Sequence, residues 1–521
     1  MKTIALILTF QVFCINSLIA QNEVDHEQVH DIYIRILNAT GYAIQNMPVL
    51  EISDQKNCSR PIACYKPGKP GKRDSILIDS QALNICFSID TNAEAGVAFI
   101  LGHELAHFFQ KRIWNQTLPK VVDLGCEITL DDDELQADLY GLFITRQVNY
   151  QPNAVLEELL IGLRSNYLGQ QIYQKELNQL TCRASLADSI CQLVDHLWRT
   201  NELGNWLMAL QDPKAYEAAA EVYRYLAQYI IHPEIQNNIG LAHLFMALST
   251  ASNDPEWKQF KYPILLDWDN PTRRRPEKRK QLLNKAERHL LQGHQLAPED
   301  IDIAINLACL KEVQGQYTAC QELIDSLSPR TDKTEQQASQ LAILGGIMAA
   351  HQGNLKKAKG KFMQSQRTTT AWKQISNENL KILEGKPLST DKSPKIVDHL
   401  DGVPNISRHP LPRNRTPFLS IGEAIRIDKE QLNNSSFYRV SFGQFETKVN
   451  LHFTTSRRLE TELGLKVGNS LADLEWTYRN IPLTYSLTHS QGYYLMYPSQ
   501  GLVFNMSLNN KIKGWGTYKI N

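Results

Sequence analysis

The stretch LGHELAHFF, residues Leu101 to Phe109, places two histidines four positions apart and a glutamate directly after the first. The preceding run AEAGVAFIL, which begins at Ala93, is almost wholly apolar, and this pattern predicts a buried helix. Positions i and i+4 of a helix lie on one face, one turn apart, so His103 and His107 can reach the same ion. The spacing therefore predicts a metal site on a core helix.

A third ligand is offered by the acidic stretch DDDELQADLYG. Glu134 lies 27 residues after His107, and Asp138 follows on the same helical face. A glutamate here completes the His₂Glu set of catalytic zinc sites, while Asp138 can accept the free N–H of one histidine. Glu104 is then available as a general base. The sequence predicts one Zn²⁺ per chain, held by His103, His107 and Glu134.

An ordinary structural interpretation competes with this prediction. Two histidines can be satisfied core residues, and an acidic run is typical of a solvated helix N-terminus, where the helix dipole favours negative charge. Asp131 to Asp133 fit that second description and are assigned no catalytic role. The metal site is favoured because a glutamate and an aspartate one turn apart accompany the histidine pair.

The pair of motifs HELAH and ELQAD resembles the gluzincin metallopeptidases, specifically the M48 family, which includes the CAAX prenyl protease and bacterial envelope proteases. Asn149 to Pro152 is similar to that family's Gly-Tyr-Asp-Pro segment, and the resemblance covers about residues 70 to 165. It implies an α+β zincin-like metallopeptidase domain and the same residue roles. It also implies that the strand Ile76 to Asp79 is the edge that binds an extended substrate by β-augmentation.

Two features depart from that family. The connection of 27 residues between His107 and Glu134 is shorter than the family's usual one. The family's downstream histidine also has no clear counterpart: His232, in IHPEIQNN, has the right flanking proline but is better explained as the start of a repeat helix. The residue that stabilises the oxyanion therefore stays unassigned.

Helical periodicity dominates residues 201–385, and a repeat is visible there. Ala286 and Cys320 are 34 residues apart, which is the tetratricopeptide period, and Ala358 follows Cys320 by 38 residues. The turn signature recurs as GQYTAC and GNLKKA. We expect an all-α solenoid of tetratricopeptide type whose concave face binds a protein partner or substrate. A non-repetitive helical bundle is the alternative.

The remaining segments complete a multidomain organisation. Residues 1–20 read as a signal peptide cut near Ala20, residues 21–200 as the metallopeptidase domain, 386–417 as a Pro-rich linker and 418–521 as a small β-rich domain. Strands are expected in SILIDS, TKVNLHFTTS and GLVFNMSLNNKI, with one C-terminal helix over Ser470 to Tyr478 capped by Ser470. Cys58 to Arg73 is expected to be a loop.

The composition restricts which cellular compartment and which classes of partner are expected. Lys+Arg and Asp+Glu both number 55, and without a long one-sign run nucleic acid is a poor partner. No segment after the signal peptide is apolar enough to predict a membrane span in the mature chain, so an exported, periplasmic or extracellular protein is expected. Eight cysteines remain, and proximity makes Cys58–Cys64 and Cys182–Cys191 candidate disulfides.

These observations predict an exported zinc metalloendopeptidase that hydrolyses peptide bonds of protein or peptide substrates. Its helical repeats would bind substrate or a protein partner, and by analogy with envelope peptidases its role would be quality control of envelope proteins. One alternative is a repeat-based binding or chaperone scaffold with a structural or vestigial zinc site. Another is a gluzincin that acts on something other than a peptide.

Overall fold

A computed structural model describes most of the 521-residue chain. The described residues are 26–42, 47–53, 62–89, 93–114, 132–151, 155–167, 174–249, 260–263, 276–366, 370–386, 415–421, 425–432, 435–442, 449–461, 463–481, 483–489, 492–507 and 509–520. The predicted signal peptide and most of the predicted linker lie outside these ranges. Two compact units are present, residues 1–198 with 228–231 and residues 199–227 with 232–521.

The first unit combines helices with a small sheet. In chain order its elements are α1 (His26–Ala39), β1 (Val49–Ser53), β2 (Ala63–Lys66), β3 (Ser75–Asp79), α2 (Ser80–Ser88), α3 (Ala93–Arg112), α4 (Asp132–Gln147), α5 (Leu156–Tyr167) and the first part of α6 (Gln174–Ala209). Asp79 caps α2 by accepting a hydrogen bond from the backbone N–H of Gln81. The strand order is β1-β3-β2, and the predicted boundary after residue 200 falls inside α6.

The predicted edge strand is instead the centre of this sheet. Strand β3 pairs in parallel with β1 through Ile76 and Leu50, and antiparallel with β2 through Ile76 and Tyr65. Both of its edges are therefore hydrogen-bonded, so the prediction that Ile76 to Asp79 receives a substrate strand is wrong. The expected loop from Cys58 to Arg73 contains strand β2, which lies at the edge of the sheet nearest α3.

Helix α3 is the core helix of the first unit. Every residue from Ala95 to Phe109 is buried, because α1, α2, α4 and the sheet pack around a run that is apolar apart from His103, Glu104 and His107. Helix α4 approaches closely where Gly102 meets Gly141. A Cβ atom at Gly141 would lie only 2.7 Å from the backbone nitrogen of His103. The two glycines thus let α4 bring its side chains to the histidine pair.

The second unit contains a stack of helix pairs. After α7 (Pro213–Leu226), the helices are α8 (Pro233–Leu248), α9 (Pro276–Leu296), α10 (Ile301–Val313), α11 (Tyr317–Leu327), α12 (Glu335–His351), α13 (Leu355–Ser365) and α14 (Thr370–Leu383). The first helices of successive pairs, α8, α10, α12 and α14, contact one another in series. Helices α10 and α12 begin at Ile301 and Glu335, which are 34 residues apart.

The repeat pattern predicted from small residues coincides with the second helices of these pairs. Ala286, Cys320 and Ala358 lie on α9, α11 and α13, and each is fully buried. Small side chains at these positions let neighbouring helices approach, as Gly346 does on α12, where a Cβ atom would lie 2.5 Å from the Phe362 ring. Helix pairs spaced as the sequence predicts therefore form the centre of the second unit.

An antiparallel sheet of eight strands follows. The strands are β4 (Arg415–Ile421), β5 (Ile425–Leu432), β6 (Ser435–Phe442), β7 (Val449–Thr454), β8 (Thr484–His489), β9 (Gly492–Tyr497), β10 (Leu502–Ser507) and β11 (Ile512–Ile520), in the order β4-β5-β6-β7-β11-β10-β9-β8. Helix α15 (Leu471–Thr477) begins at a capping box between Ser470 and Asp473. The predicted β-rich region and its capped helix are confirmed.

The predicted disulfide Cys182–Cys191 is wrong. Cys182 is disulfide-bonded, but Cys191 is a buried free thiol, as are Cys86, Cys309 and Cys320. Cys182 and Cys191 lie on one helix, where nine residues advance about 13 Å, well beyond the reach of a disulfide. Cys64 is also disulfide-bonded, and its suggested partner Cys58 lies outside the described residues. Among the described helices, none is both long and apolar enough to cross a membrane.

Candidate metal centre

The three predicted ligands converge between α3 and α4. The Nε2 atoms of His103 and His107 are 3.1 Å apart, and carboxylate oxygens of Glu134 lie 3.4 Å and 3.5 Å from them. One ligand atom from each residue falls within 4.8 Å of the others, and all three residues are buried. The i, i+4 spacing on α3 and the position of Glu134 in the first turn of α4 produce this arrangement.

Asp138 orients the first histidine. Its Oδ1 lies 2.8 Å from Nδ1 of His103, and because a carboxylate only accepts, Nδ1 carries the proton. The Nε2 lone pair of His103 is therefore directed at Glu134 and His107. Asp138 is 1% exposed, so this hydrogen bond forms away from water, as partners of metal-binding histidines commonly do.

Gln110 orients the second histidine in the same way. Its Nε2 donates to the backbone carbonyl of Asp133 at 2.7 Å, which fixes the orientation of the amide. The amide oxygen, 2.8 Å from Nδ1 of His107, must then accept the proton of that nitrogen. The Nε2 lone pair of His107 is thus also free to bind an ion. Gln110 was not predicted, although its place three residues after His107 is visible in the sequence.

This donor set fits a divalent transition metal. Two nitrogen lone pairs that face each other at 3.1 Å repel unless a proton or a cation lies between them. The carboxylate of Glu134 adds a negative charge on the same side. Two imidazoles with one carboxylate are the ligands of catalytic zinc sites, so His103, His107 and Glu134 can hold such an ion.

A buried arginine, which sequence reasoning missed, completes the surroundings. Arg183 of α6 donates to both carboxylate oxygens of Asp138, at 2.8 Å and 2.6 Å, and its Nη1 lies 3.8 Å from Glu134. A bidentate pair of this kind fixes the position of the carboxylate as well as its charge. Arg183 follows Asp138 by 45 residues and belongs to no short motif, so no local sequence signal indicates it.

The charges of these groups shift their pKa values. Burial and Arg183 lower the pKa of His103, but hydrogen bonds to Asp138 and Glu134 outweigh them and raise it to about 9. Burial opposes ionisation of Glu134, yet its hydrogen bonds to His103 and His107 hold its pKa well below the usual range. The pKa of Asp138 is lowered mainly by Arg183, against the effect of burial. The centre therefore favours anionic carboxylates around a positive charge.

Glu104 is buried beside the ligands, but it binds the neighbouring sheet. Its Oε2 accepts the backbone N–H of Tyr65 in strand β2 at 2.8 Å. The strand is held there by Asp74, which accepts hydrogen bonds from the hydroxyl of Tyr65, the backbone of Gly68 and the guanidinium of Arg112. The edge of β2 that no described strand pairs thus lies next to the carboxylate of Glu104.

His232 has a structural role in the second unit. It is the N-cap of α8, and its Nδ1 accepts the backbone N–H of Glu234 at 3.2 Å. The prediction that His232 begins a repeat helix is therefore confirmed.

Comparisons with known proteins identify no family for this chain. No protein-family model matches the chain, and no curated protein matches it. Among solved structures, a tetratricopeptide repeat protein from Parabacteroides merdae ATCC 43184 is 13% identical, with a TM-score of 0.25, over 58% of this chain and 98% of that one.

Proposed function

We propose that this chain is a zinc-dependent metalloendopeptidase with helical repeats that bind its substrate or a partner. The observation that carries the proposal is the convergence of His103, His107 and Glu134 beside a glutamate that is not a ligand. A structural metal site has no need of a general base, whereas a hydrolytic one does. The support comes from this geometry and not from the comparisons.

The residues then have separate tasks. Zinc, held by His103, His107 and Glu134, would supply Lewis acidity that polarises a peptide carbonyl. Glu104 takes a proton from the attacking water and passes it to the leaving amine. Tyr65 keeps the carboxylate of Glu104 in place through its backbone N–H, and an extended substrate would bind along the edge of β2 that no described strand pairs.

Export to an oxidising compartment is part of the proposal. The apolar N-terminal run after Lys2 has the order of a signal peptide, and Cys64 and Cys182 are disulfide-bonded. The similarity of the motifs to envelope M48 peptidases makes unfolded envelope proteins a reasonable substrate class. Mass spectrometry of the mature N-terminus of the exported protein tests the cleavage site near Ala20.

A second candidate function is a binding scaffold whose metal site is structural. The stacked helix pairs favour it, because the series of first helices α8, α10, α12 and α14 forms a continuous face of the kind that binds extended segments. In that case the repeats carry the function and Glu104 has no chemical role.

Substitution of the general base separates the two functions. Glu104→Gln keeps the shape of the side chain and removes its basicity, so a peptidase should lose at least about 100-fold in cleavage of unfolded casein. The zinc content of the Glu104→Gln protein, measured by elemental mass spectrometry, should remain at the wild-type level. Glu94→Gln is the matched control, since Glu94 lies on the same helix in its first turn and binds Gln28 and Tyr150 instead.

The possible results point in different directions. Equal cleavage by wild type and Glu104→Gln contradicts the catalytic assignment and leaves the scaffold. Zinc that is absent from the wild-type protein, or that persists in His103→Ala, contradicts the metal site itself.

A further inference from the structure

A short segment of the chain, Phe260 to Pro263, lies against the first helices of the repeat stack. We name these four residues the FKYP segment, and all four are buried. The groups that touch it come from successive helix pairs: Glu312 on α10, Gln340 and His351 on α12, Phe362 on α13 and Asn379 on α14. The segment therefore contacts several helices of the stack instead of packing on a single one.

The backbone of the segment is bound by side-chain amides. Asn379 accepts the N–H of Lys261 through its Oδ1 at 2.6 Å and donates its Nδ2 to the carbonyl of Lys261 at 2.8 Å. Gln340 donates to the carbonyl of Pro263 at 3.2 Å. These bonds use main-chain groups that nearly every peptide carries, so they do not depend on the side chain at position 261.

The two aromatic side chains of the segment, two residues apart, both contact side chains of the groove. Phe260 packs edge-on against His351, with ring centroids 5.3 Å apart, and against Phe362 at 5.9 Å. Two residues later, the hydroxyl of Tyr262 donates to the carboxylate of Glu312. The groove thus binds an aromatic residue, then the buried Lys261, and then a tyrosine.

One polar group of the groove, Glu312, keeps a partner when the segment is absent. Glu312 is fully buried, and it also binds Nδ1 of His351, a residue of the repeats themselves. A buried carboxylate with no partner would be costly, but this pair keeps Glu312 satisfied. Asn379 and Gln340 instead bind the segment's backbone, so an empty groove would leave their amides for the backbone of an incoming peptide.

From these contacts we propose that the groove is a binding site for an extended segment of a partner protein with the pattern aromatic-x-Tyr-Pro. The FKYP segment occupies the same site within the chain and competes with that partner. Because it is tethered, its effective concentration is on the order of millimolar, so a partner peptide binds weakly until the segment leaves. The proposal requires no metal and no peptidase activity.

Fluorescence polarisation with a labelled peptide of residues 258–265, KQFKYPIL, tests this site in the full-length protein. The double variant Phe260→Ala/Tyr262→Ala weakens the internal occupant, and its affinity for the peptide should exceed that of wild type by at least about tenfold. Asn379→Ala in that background should abolish binding. Asn377→Ala is the matched control, because Asn377 is an exposed asparagine on the same helix that binds Gln366.

Several outcomes overturn the proposal. Equal peptide affinity in wild type and the double variant, or no saturable binding to the double variant, would each do so. Binding that persists after Asn379→Ala would do so as well. So would equal binding of the control peptide KQAKAPIL, which lacks both aromatic side chains. If circular dichroism shows that the double variant does not fold, hydrogen exchange in wild type decides. Excess KQFKYPIL should then speed exchange of the Lys261 amide, and unchanged exchange overturns the proposal.

Discussion

The tautomer and orientation of each candidate ligand histidine are set by the group that binds its Nδ1. Asp138 accepts from Nδ1 of His103, and Gln110 accepts from Nδ1 of His107, so both Nε2 lone pairs point at one place. Arg183 in turn fixes Asp138 by donating to both of its carboxylate oxygens. The candidate site is therefore held by residues that would not themselves contact an ion, and their removal should weaken metal binding without removing a ligand.

Asp138→Asn tests this directly. An amide at this position cannot balance Arg183, and it offers His103 a weaker acceptor, so zinc affinity should fall by about 10- to 100-fold. Competition with a chromophoric chelator measures the dissociation constant. Asp133→Asn is the control, since the Asp133 side chain is exposed at the start of the same helix. A loss of equal size in both variants contradicts the orienting role.

At the scale of secondary structure, the close approach of α3 and α4 decides whether the site forms. Gly102 and Gly141 face each other next to His103, with room for no side chain between them. One face of α4 carries Glu134, Asp138, Gly141 and Thr145. The hydroxyl of Thr145 donates to the carbonyl of Gly141 at 2.7 Å. Glu134 and Asp138 on α4 reach the histidines because the two backbones can approach this closely.

Gly141→Ala should separate the two helices. The new Cβ atom would lie 2.7 Å from the nitrogen of His103, and relief of that clash should cost about 1–3 kcal/mol of unfolding free energy. Zinc affinity should decrease as well. Gly360→Ala on α13 is the matched control, because nothing lies within 4 Å of its Cβ position and alanine should stabilise that helix by up to about 1 kcal/mol. Thermal melts and zinc titrations of both variants measure the difference.

Helix α10 begins at an aspartate that is unfavourable when charged. Asp300 is the N-cap, and burial raises its pKa to about 6, above the ordinary value near 3.9 of an unfolded chain. The folded state therefore holds the proton more tightly, and stability falls as the pH rises from about 4 through 6. A shift of this size corresponds to about 2–3 kcal/mol above pH 6.

Asp300→Asn should remove this dependence. Asparagine is an equally good N-cap, so the hydrogen bond to the backbone of Ile303 is kept while the charge disappears. The variant should gain about 1–3 kcal/mol over wild type at pH 7.5 and nothing at pH 3.5, where both side chains are neutral. Urea titrations at the two pH values measure this. An equal change at both would show that the cap, and not the charge, is responsible.

The sequence was most informative where one element carries the whole signal. The two histidines on α3 lie one helical turn apart, and so do the two acidic residues on α4. Their geometry therefore follows from their spacing in the sequence. The position of β3 could not be read from ILID, because a strand's neighbours are chosen by other segments. Strand β2 has only four residues and lies in a stretch rich in proline and glycine, so its sequence gives no strand signal. The contact of Arg183 with Asp138 arises from tertiary packing alone and has no local sequence signal.

For the molecule as a whole, the metal centre should contribute to the stability of the first unit. An ion that binds only the folded state adds about 4 kcal/mol when its free concentration is 1,000 times the dissociation constant. Chelation should therefore speed hydrogen exchange in α3 and α4, whose side chains supply all three ligands. Helix α11 of the repeats serves as the internal reference, because none of its residues belongs to the centre. Exchange in α3 and α4 that does not respond to chelator, in protein shown to contain zinc, contradicts the ligand assignment.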